Sequence, residues 1–379
     1  MPSSTSSSND RLPAGPWGRT WLAAVGLAVV VLAAYEGYFR HAGFAPSVTD
    51  DGGLWALARS RVPPHDPTAV VLVGASRIQL GLDLESFAAA FGGRTPVQLA
   101  IDGSSCVPAL DDLSRDPSFC GLVIVDVTPM WFFEDGADLE AGVQAEYVQQ
   151  YRRQTAAAAI ERGLRAAAQG ALVLRLPDVA PTLRSLKRWC RAGALPRPGY
   201  LRMRPDRSKQ ADYTRCDLPQ HIASRIERER RMRPAGPDTL ARAADSIREM
   251  IARLRSRGGD VVLLTMPVSG EVREIELGHF PRHEFWDALL AQTGAVGIHF
   301  ADYPDLSRFA CPEGSHLDQN DAPEFSRALA TILREQLDSH LSACTPADDG
   351  TRTAGAESYA QTGDMQAAAL PDDGARARP

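Results

Sequence analysis

The 379-residue chain has almost no lysine: of its 41 basic residues two are Lys and the rest Arg. Its six cysteines are irregularly spaced, and no C-x-x-C occurs, which excludes a zinc ribbon and a thioredoxin-type motif. No internal repeat is visible. There is no excess of positive charge either, the formal net being -6, so composition makes no case for nucleic-acid binding. With 44% hydrophobic, 7% aromatic and 23% charged positions, collagen-like, coiled-coil and wholly disordered chains are set aside. What remains is a chain long enough for one large domain or two small ones.

One hydrophobic run is long. Residues 20–39, TWLAAVGLAVVVLAAYEGYF, supply about the 20 positions a helix needs to cross a bilayer. Their single charge, Glu36, lies near one end, within reach of the headgroups. Trp17 and Trp21 at one end and Tyr35 and Tyr38 at the other match interfacial aromatic belts. Arg11 and Arg19 precede the run in a Ser/Pro/Gly-rich leader, 1–19. The positive-inside rule then puts the N-terminus in the cytoplasm and the rest of the chain outside. A cleaved signal peptide is the competing reading: Ala33 and Ala34 would permit cleavage, but no clear A-x-A site follows. On either reading the bulk of the chain is extracytoplasmic, where disulfides are allowed. Cys106–Cys120 and Cys190–Cys216 are the closest pairs in sequence, with buried free thiols as the alternative.

After a polar stretch read as a linker (40–66), strand and helix signals alternate. AVVLVG (69–74), PVQLAI (96–101), GLVIVDV (121–127), DVVLLTMP (260–267) and VGIHFADY (296–303) read as strands, and apolar runs of this length fit strands buried on both faces. LDLESFAAAFG (82–92), 238–259, 284–294 and 322–337 have helical spacing, two of them ending in Gly pairs. The expected fold class is α/β, a parallel sheet covered by helices on both faces. It is assigned to 67–134 and 236–340, interrupted by an insertion or cap at 135–235, helical at first and then Pro- and Arg-rich. The last segment, 341–379, lacks periodicity and is expected to be a disordered tail.

Two places can do chemistry. Ser76, in VVLVGASRIQLG, directly follows a buried strand, at the carboxyl edge where open α/β sheets place their active sites. Gly74 lets the backbone turn there, although such a turn also serves as a plain helix N-cap. A serine needs a base to act as a nucleophile. His316 lies about 240 residues later in CPEGSHLDQN, with Glu313 three residues upstream. A carboxylate at that offset can accept the Nδ1 proton and leave Nε2 free to take the serine proton. Asp318 is an alternative acid. His279 and His283 stand four apart around Pro281, which a loop leading into a helix explains, and His65, His221 and His299 lack companions. From 182 to 233, fifteen Arg/Lys stand against five Asp/Glu. That stretch reads either as a solvated cap or as a surface for an anionic glycan, a phosphate or lipid headgroups, with Trp189 and Tyr200 interleaved.

Taken together, a strand, a Gly-x-Ser turn and a terminal acidic-x-x-His-Leu segment before a small-residue helix resemble the SGNH/GDSL hydrolase superfamily. The resemblance covers about 67–134 and 238–337. It implies a flavodoxin-like three-layer sandwich, with Ser76 as nucleophile, His316 as general base and Glu313 where the family usually has Asp. Gly103, in LAIDGSS, would add its amide to that of Ser76 in an oxyanion hole. The third family block, normally Gly-x-Asn-Asp, is replaced by VIVDVTPMW, which has no Asn; Thr128 or a backbone amide is the candidate substitute. Anchored extracytoplasmic domains of this type also resemble the partners of membrane-bound O-acyltransferases, as in teichoic acid D-alanylation and alginate O-acetylation. The resemblance therefore implies a serine esterase or O-acyltransferase, periplasmic and tethered by one span to a bacterial inner membrane. Its partners would be a membrane acyltransferase or an anionic polysaccharide, not nucleic acid, and no metal or organic cofactor is implied. A non-catalytic envelope scaffold is the alternative.

Overall fold

Runs rich in valine, stiff at χ1, and in leucine, apolar on both sides, build a parallel sheet. The computed structural model describes residues 16–133, 142–232 and 237–344. Among them, β1 (Val70–Val73), β2 (Val97–Gln98), β3 (Leu122–Asp126), β6 (Asp260–Thr265) and β7 (Val296–His299) form one sheet. Its order is β2-β1-β3-β6-β7, every pair parallel. β4 (Leu201–Met203) and β5 (Lys209–Ala211) pair separately as an antiparallel ribbon. The protein is thus α/β with a five-stranded parallel sheet.

Alternate residues of each strand feed opposite layers. Val71, Val73, Val123, Val125, Val261 and Leu263 pack with Trp55, Leu110, Ile247 and Trp286 on one face. Leu72, Ile124, Val262, Leu264 and Ile298 pack with Phe87, Leu317, Phe325 and Leu329 on the other. Each side chain so buried contributes roughly 1.5–3 kcal/mol by leaving water. The doubled core explains why these strands read as continuous apolar runs.

The structure corrects two expectations, the 40–66 linker and the start of the tail. The 40–66 stretch is no spacer: helix Gly52–Arg59, capped by Asp51 accepting from the Leu54 amide at 2.8 Å, inserts Trp55 fully into the core. The insertion packs against the rest of the domain. Its helices Gly142–Arg152 and Ala156–Ala171 pack on Gly52–Arg59, and its ribbon packs on helix Ser76–Gly81. The final helix continues to Cys344, and the expected tail beyond it lies outside the described residues, as do positions 1–15. Of the two readings of the cysteines, free thiols hold at Cys106, Cys120, Cys190 and Cys216, and Cys311 is free as well.

Helix Trp17–His41, 25 residues with a mean hydropathy of 1.8 in its most apolar window, is long and apolar enough to cross a membrane. Its last turns are tied to the protein. Tyr35 Oη donates to the Val179 carbonyl at 2.6 Å, and Arg40 donates to that of Ala171 at 2.6 Å. Glu36 does not reach for headgroups; it accepts from the Val173 and Leu174 amides at 2.8 and 2.9 Å.

Candidate active site

β1 ends at Val73, and the chain passes through Gly74 and Ala75 into helix Ser76–Gly81. Only glycine fits the turn: a Cβ at Gly74 would come within 2.6 Å of the Asp126 Cβ and 2.8 Å of Ile78. Ser76 is therefore the first residue of a helix at the carboxyl edge of the sheet, where amides have no intrahelical acceptor. Its side chain is almost buried, 8% exposed.

The loop before the final helix brings His316 to it. His316 Nε2 lies 2.8 Å from Ser76 Oγ, and His316 Nδ1 lies 2.5 Å from Glu313 Oε1. Both residues are buried. With the ring proton on Nδ1 donated to Glu313, Nε2 accepts from the serine hydroxyl, a chain of hydrogen bonds oriented for deprotonating Ser76. Asp318 is not in this chain. It accepts from the Asn320 amide at 2.9 Å and the Tyr213 amide at 3.3 Å, holding the turn into the last helix.

A guanidinium that the sequence pattern left unremarked completes the set. Arg225, on insertion helix Leu218–Arg230, donates through Nε to Glu313 Oε2 at 2.7 Å. Its Nη2 lies 3.3 Å from His316 Nδ1, a charge contact once Nδ1 carries its own proton. Burial alone would raise the Glu313 carboxyl, but the His316 hydrogen bond and the charges of His316 and Arg225 outweigh it and hold it at about 2. Burial pushes the His316 pKa down, aided by Arg225 and Arg77 and opposed by Glu313, and the net is below the ordinary histidine value. The imidazole thus favours its neutral form at pH 7.

Beneath the turn, Asp126 ends β3 fully buried, its Oδ2 accepting from Thr128 Oγ1 at 3.0 Å. Burial lifts its carboxyl to about 6, against Arg77, Thr128 and the nearby amides of Ala75 and Ile78. Thr128 is spent on this contact and buried, so it is not free for the site role considered for it from the sequence. Arg77, next to the serine, is buried and paired with Glu276.

The cavity beside His316 and Glu313 has a volume of about 480 Å³, in the range of small-molecule sites. Its other walls include Tyr200, Tyr213, His221, Arg225 and Arg228, supplied by the ribbon's flanks and helix Leu218–Arg230. Asp102, beside Gly103, lines it too and is paired with Lys209 at 2.8 Å, which keeps the carboxyl ionised against partial burial. Gly103 itself turns in the left-handed region at φ +66°. No model of a known protein family matches the chain, and no curated protein does. Of the residues singled out from sequence, Ser76, Glu313 and His316 meet, and Gly103 lies next to a cavity residue. His279 and His283 do not line the cavity, whereas His221, set aside for want of companions, does. Arg225 gave no signal because it is one arginine among many. Asp126 gave one: a carboxylate closing an otherwise apolar strand.

Proposed function

We propose that this protein is an extracytoplasmic, membrane-tethered serine esterase or O-acyltransferase of the SGNH-like type, acting on ester-linked acyl groups of an envelope polysaccharide. The observation that carries it is the unbroken Ser76–His316–Glu313 hydrogen-bond chain, spanning 240 residues of sequence, two of whose members, His316 and Glu313, line a cavity. The strand order supports the reading, since numbered along the sheet's own strands it is 2-1-3-4-5, the flavodoxin-like order, with the serine where that order reverses. The N-terminal apolar helix supports the tether.

In the first half-reaction Ser76 Oγ attacks the acyl carbonyl as its proton passes to His316 Nε2. The oxyanion forms beside the Ser76 amide, with Gly103 as the second donor, an arrangement worth a few kcal/mol in the transition state. Collapse expels the donor's alkoxide, which takes the proton from Nε2, and leaves Ser76 acylated. A hydroxyl group then enters, loses its proton to Nε2 and attacks the ester; water gives the free acid, a sugar hydroxyl gives the transferred ester. Glu313, held ionised by Arg225, stabilises the imidazolium that each half-reaction creates. Tyr200, Tyr213 and the Arg225 and Arg228 charges suit an anionic sugar acceptor.

The test is covalent labelling by a fluorophosphonate together with hydrolysis of a chromogenic acetyl ester. Labelling is expected on Ser76 and absent in Ser76→Ala, with His316→Ala slower by about 10²–10⁴-fold. Labelling that survives both substitutions would exclude the site. The absent third-block Asn favours a second reading, a polysaccharide- or acyltransferase-binding scaffold, and a folded wild type that takes no label would support it.

A further inference from the structure

Helix Leu183–Ala192 is two-sided in an unusual way. Ser185 is buried and Trp189 half-buried against the protein, the Trp189 ring 5.8 Å from Phe39 in the last turns of the apolar N-terminal helix. The outward half is split. Leu183 and Leu186, 77% and 52% exposed, share one flank with exposed Cys190, while Arg184, Lys187 and Arg191 hold the other. Those three cations have no carboxylate partner among the described residues, whereas Arg188 is paired with Asp178. Leucines left in water beside unneutralised cations are the signature of a helix lying in a membrane interface.

Its placement is not free. The segment leading into it is fastened to the end of the N-terminal helix by the Tyr35–Val179 and Glu36–Val173 hydrogen bonds and by a cluster of Phe39, Phe44, Val173 and Val179. A 25-residue apolar helix that crosses a bilayer must bring this end, and whatever is fastened to it, to the headgroup level. We infer that helix Leu183–Ala192 docks on the leaflet from which the anchor emerges, with Leu183 and Leu186 among the acyl chains and Arg184, Lys187 and Arg191 on anionic phospholipid headgroups. The inference rests on the anchor reading and is independent of the chemistry at Ser76. Anchor and interfacial helix together hold the domain by two points, which fixes its tilt toward the membrane.

Cys190 reports on it directly. The full chain is placed in nanodiscs of phosphatidylcholine alone or with phosphatidylglycerol, and a neutral polyethylene-glycol maleimide is added; peptide mass spectrometry reads the modification of Cys190. Labelling is expected to be about tenfold slower in the anionic discs. Lys187→Glu with Arg191→Glu should abolish that difference without changing incorporation. Equal rates for the wild type in the two discs, or a difference that persists in the double variant, overturns the docking and leaves the anchor standing. A chain that does not enter discs at all overturns the anchor and the docking with it.

Discussion

At His316 opposing influences meet: burial and the guanidinium charges of Arg225 and Arg77 disfavour the protonated ring, and Glu313 favours it. Arg225→Gln removes one of the first group, so the imidazole should become more basic, and Glu313 loses the partner that holds it near 2. Labelling of Ser76 by a fluorophosphonate requires neutral His316, so the wild-type rate should climb along an acid limb centred below pH 6.5. In Arg225→Gln that limb should move to higher pH, and an unmoved limb would show that Arg225 only braces the loop. Asp126 offers a separate reading of the same floor. Its folded pKa, about 6, lies above the usual 3.8, so the stability it contributes is complete below pH 3.8 and is lost as pH rises through 6. Relative to Asp126→Asn, the wild type should lose on the order of 3 kcal/mol between about pH 4 and pH 7. Urea unfolding at several pH values checks it, and parallel stability curves for the two proteins would refute it.

Among the elements, helix Gly52–Arg59 is the one that changes the picture of the domain. Trp55 is fully buried and donates through Nε1 to the Leu99 carbonyl at 2.8 Å, so the helix is stitched to the end of β2. Trp55→Ala should cost about 3–5 kcal/mol, and Trp55→Phe, which keeps most of the packing, about 1 kcal/mol from the lost hydrogen bond. Denaturant unfolding distinguishes them; a loss below about 1 kcal/mol for Trp55→Ala would return 40–66 to the status of a linker. The helix was hard to read in the sequence because its last residue, Arg59, is buried, a position that only Asp112 and Asp116 on another element make tolerable. The five sheet strands were legible, because burial on both faces demands unbroken apolar runs. The ribbon was not: Leu201–Met203 and Lys209–Ala211 are three residues each, with one buried side chain apiece, too short for an alternation to show. At the site the same logic holds. Ser76 announced itself by its place after a strand and His316 by a carboxylate at a fixed offset, both local features. Arg225 acts only through contacts made by folding, which no local spacing encodes.

For the whole molecule the proposed membrane anchor rests on the N-terminal helix, which is long and apolar enough to cross a bilayer. A signal peptidase needs an extended, accessible stretch around its small-residue site. Here Ala33 and Ala34 lie inside the continuous helix Trp17–His41. The very next residue, Tyr35, is bonded to Val179, and Glu36 holds two amides of the turn at Val173–Arg175. Folding of the domain therefore favours the helical form of the segment that cleavage would have to unwind. The chain purified from membranes should keep residues 20–39, and the intact mass should match a protein that retains its anchor. Tyr35→Phe together with Glu36→Gln removes the polar ties and leaves hydropathy nearly unchanged. The anchor should then persist in the membrane while the protease sensitivity of the segment just beyond His41 increases several-fold, since local opening rises with the loss of each bond. A soluble, extracytoplasmic form whose mass begins after Ala33 or Ala34 would overturn the anchor, because it would mean that the peptidase acts before these contacts can form.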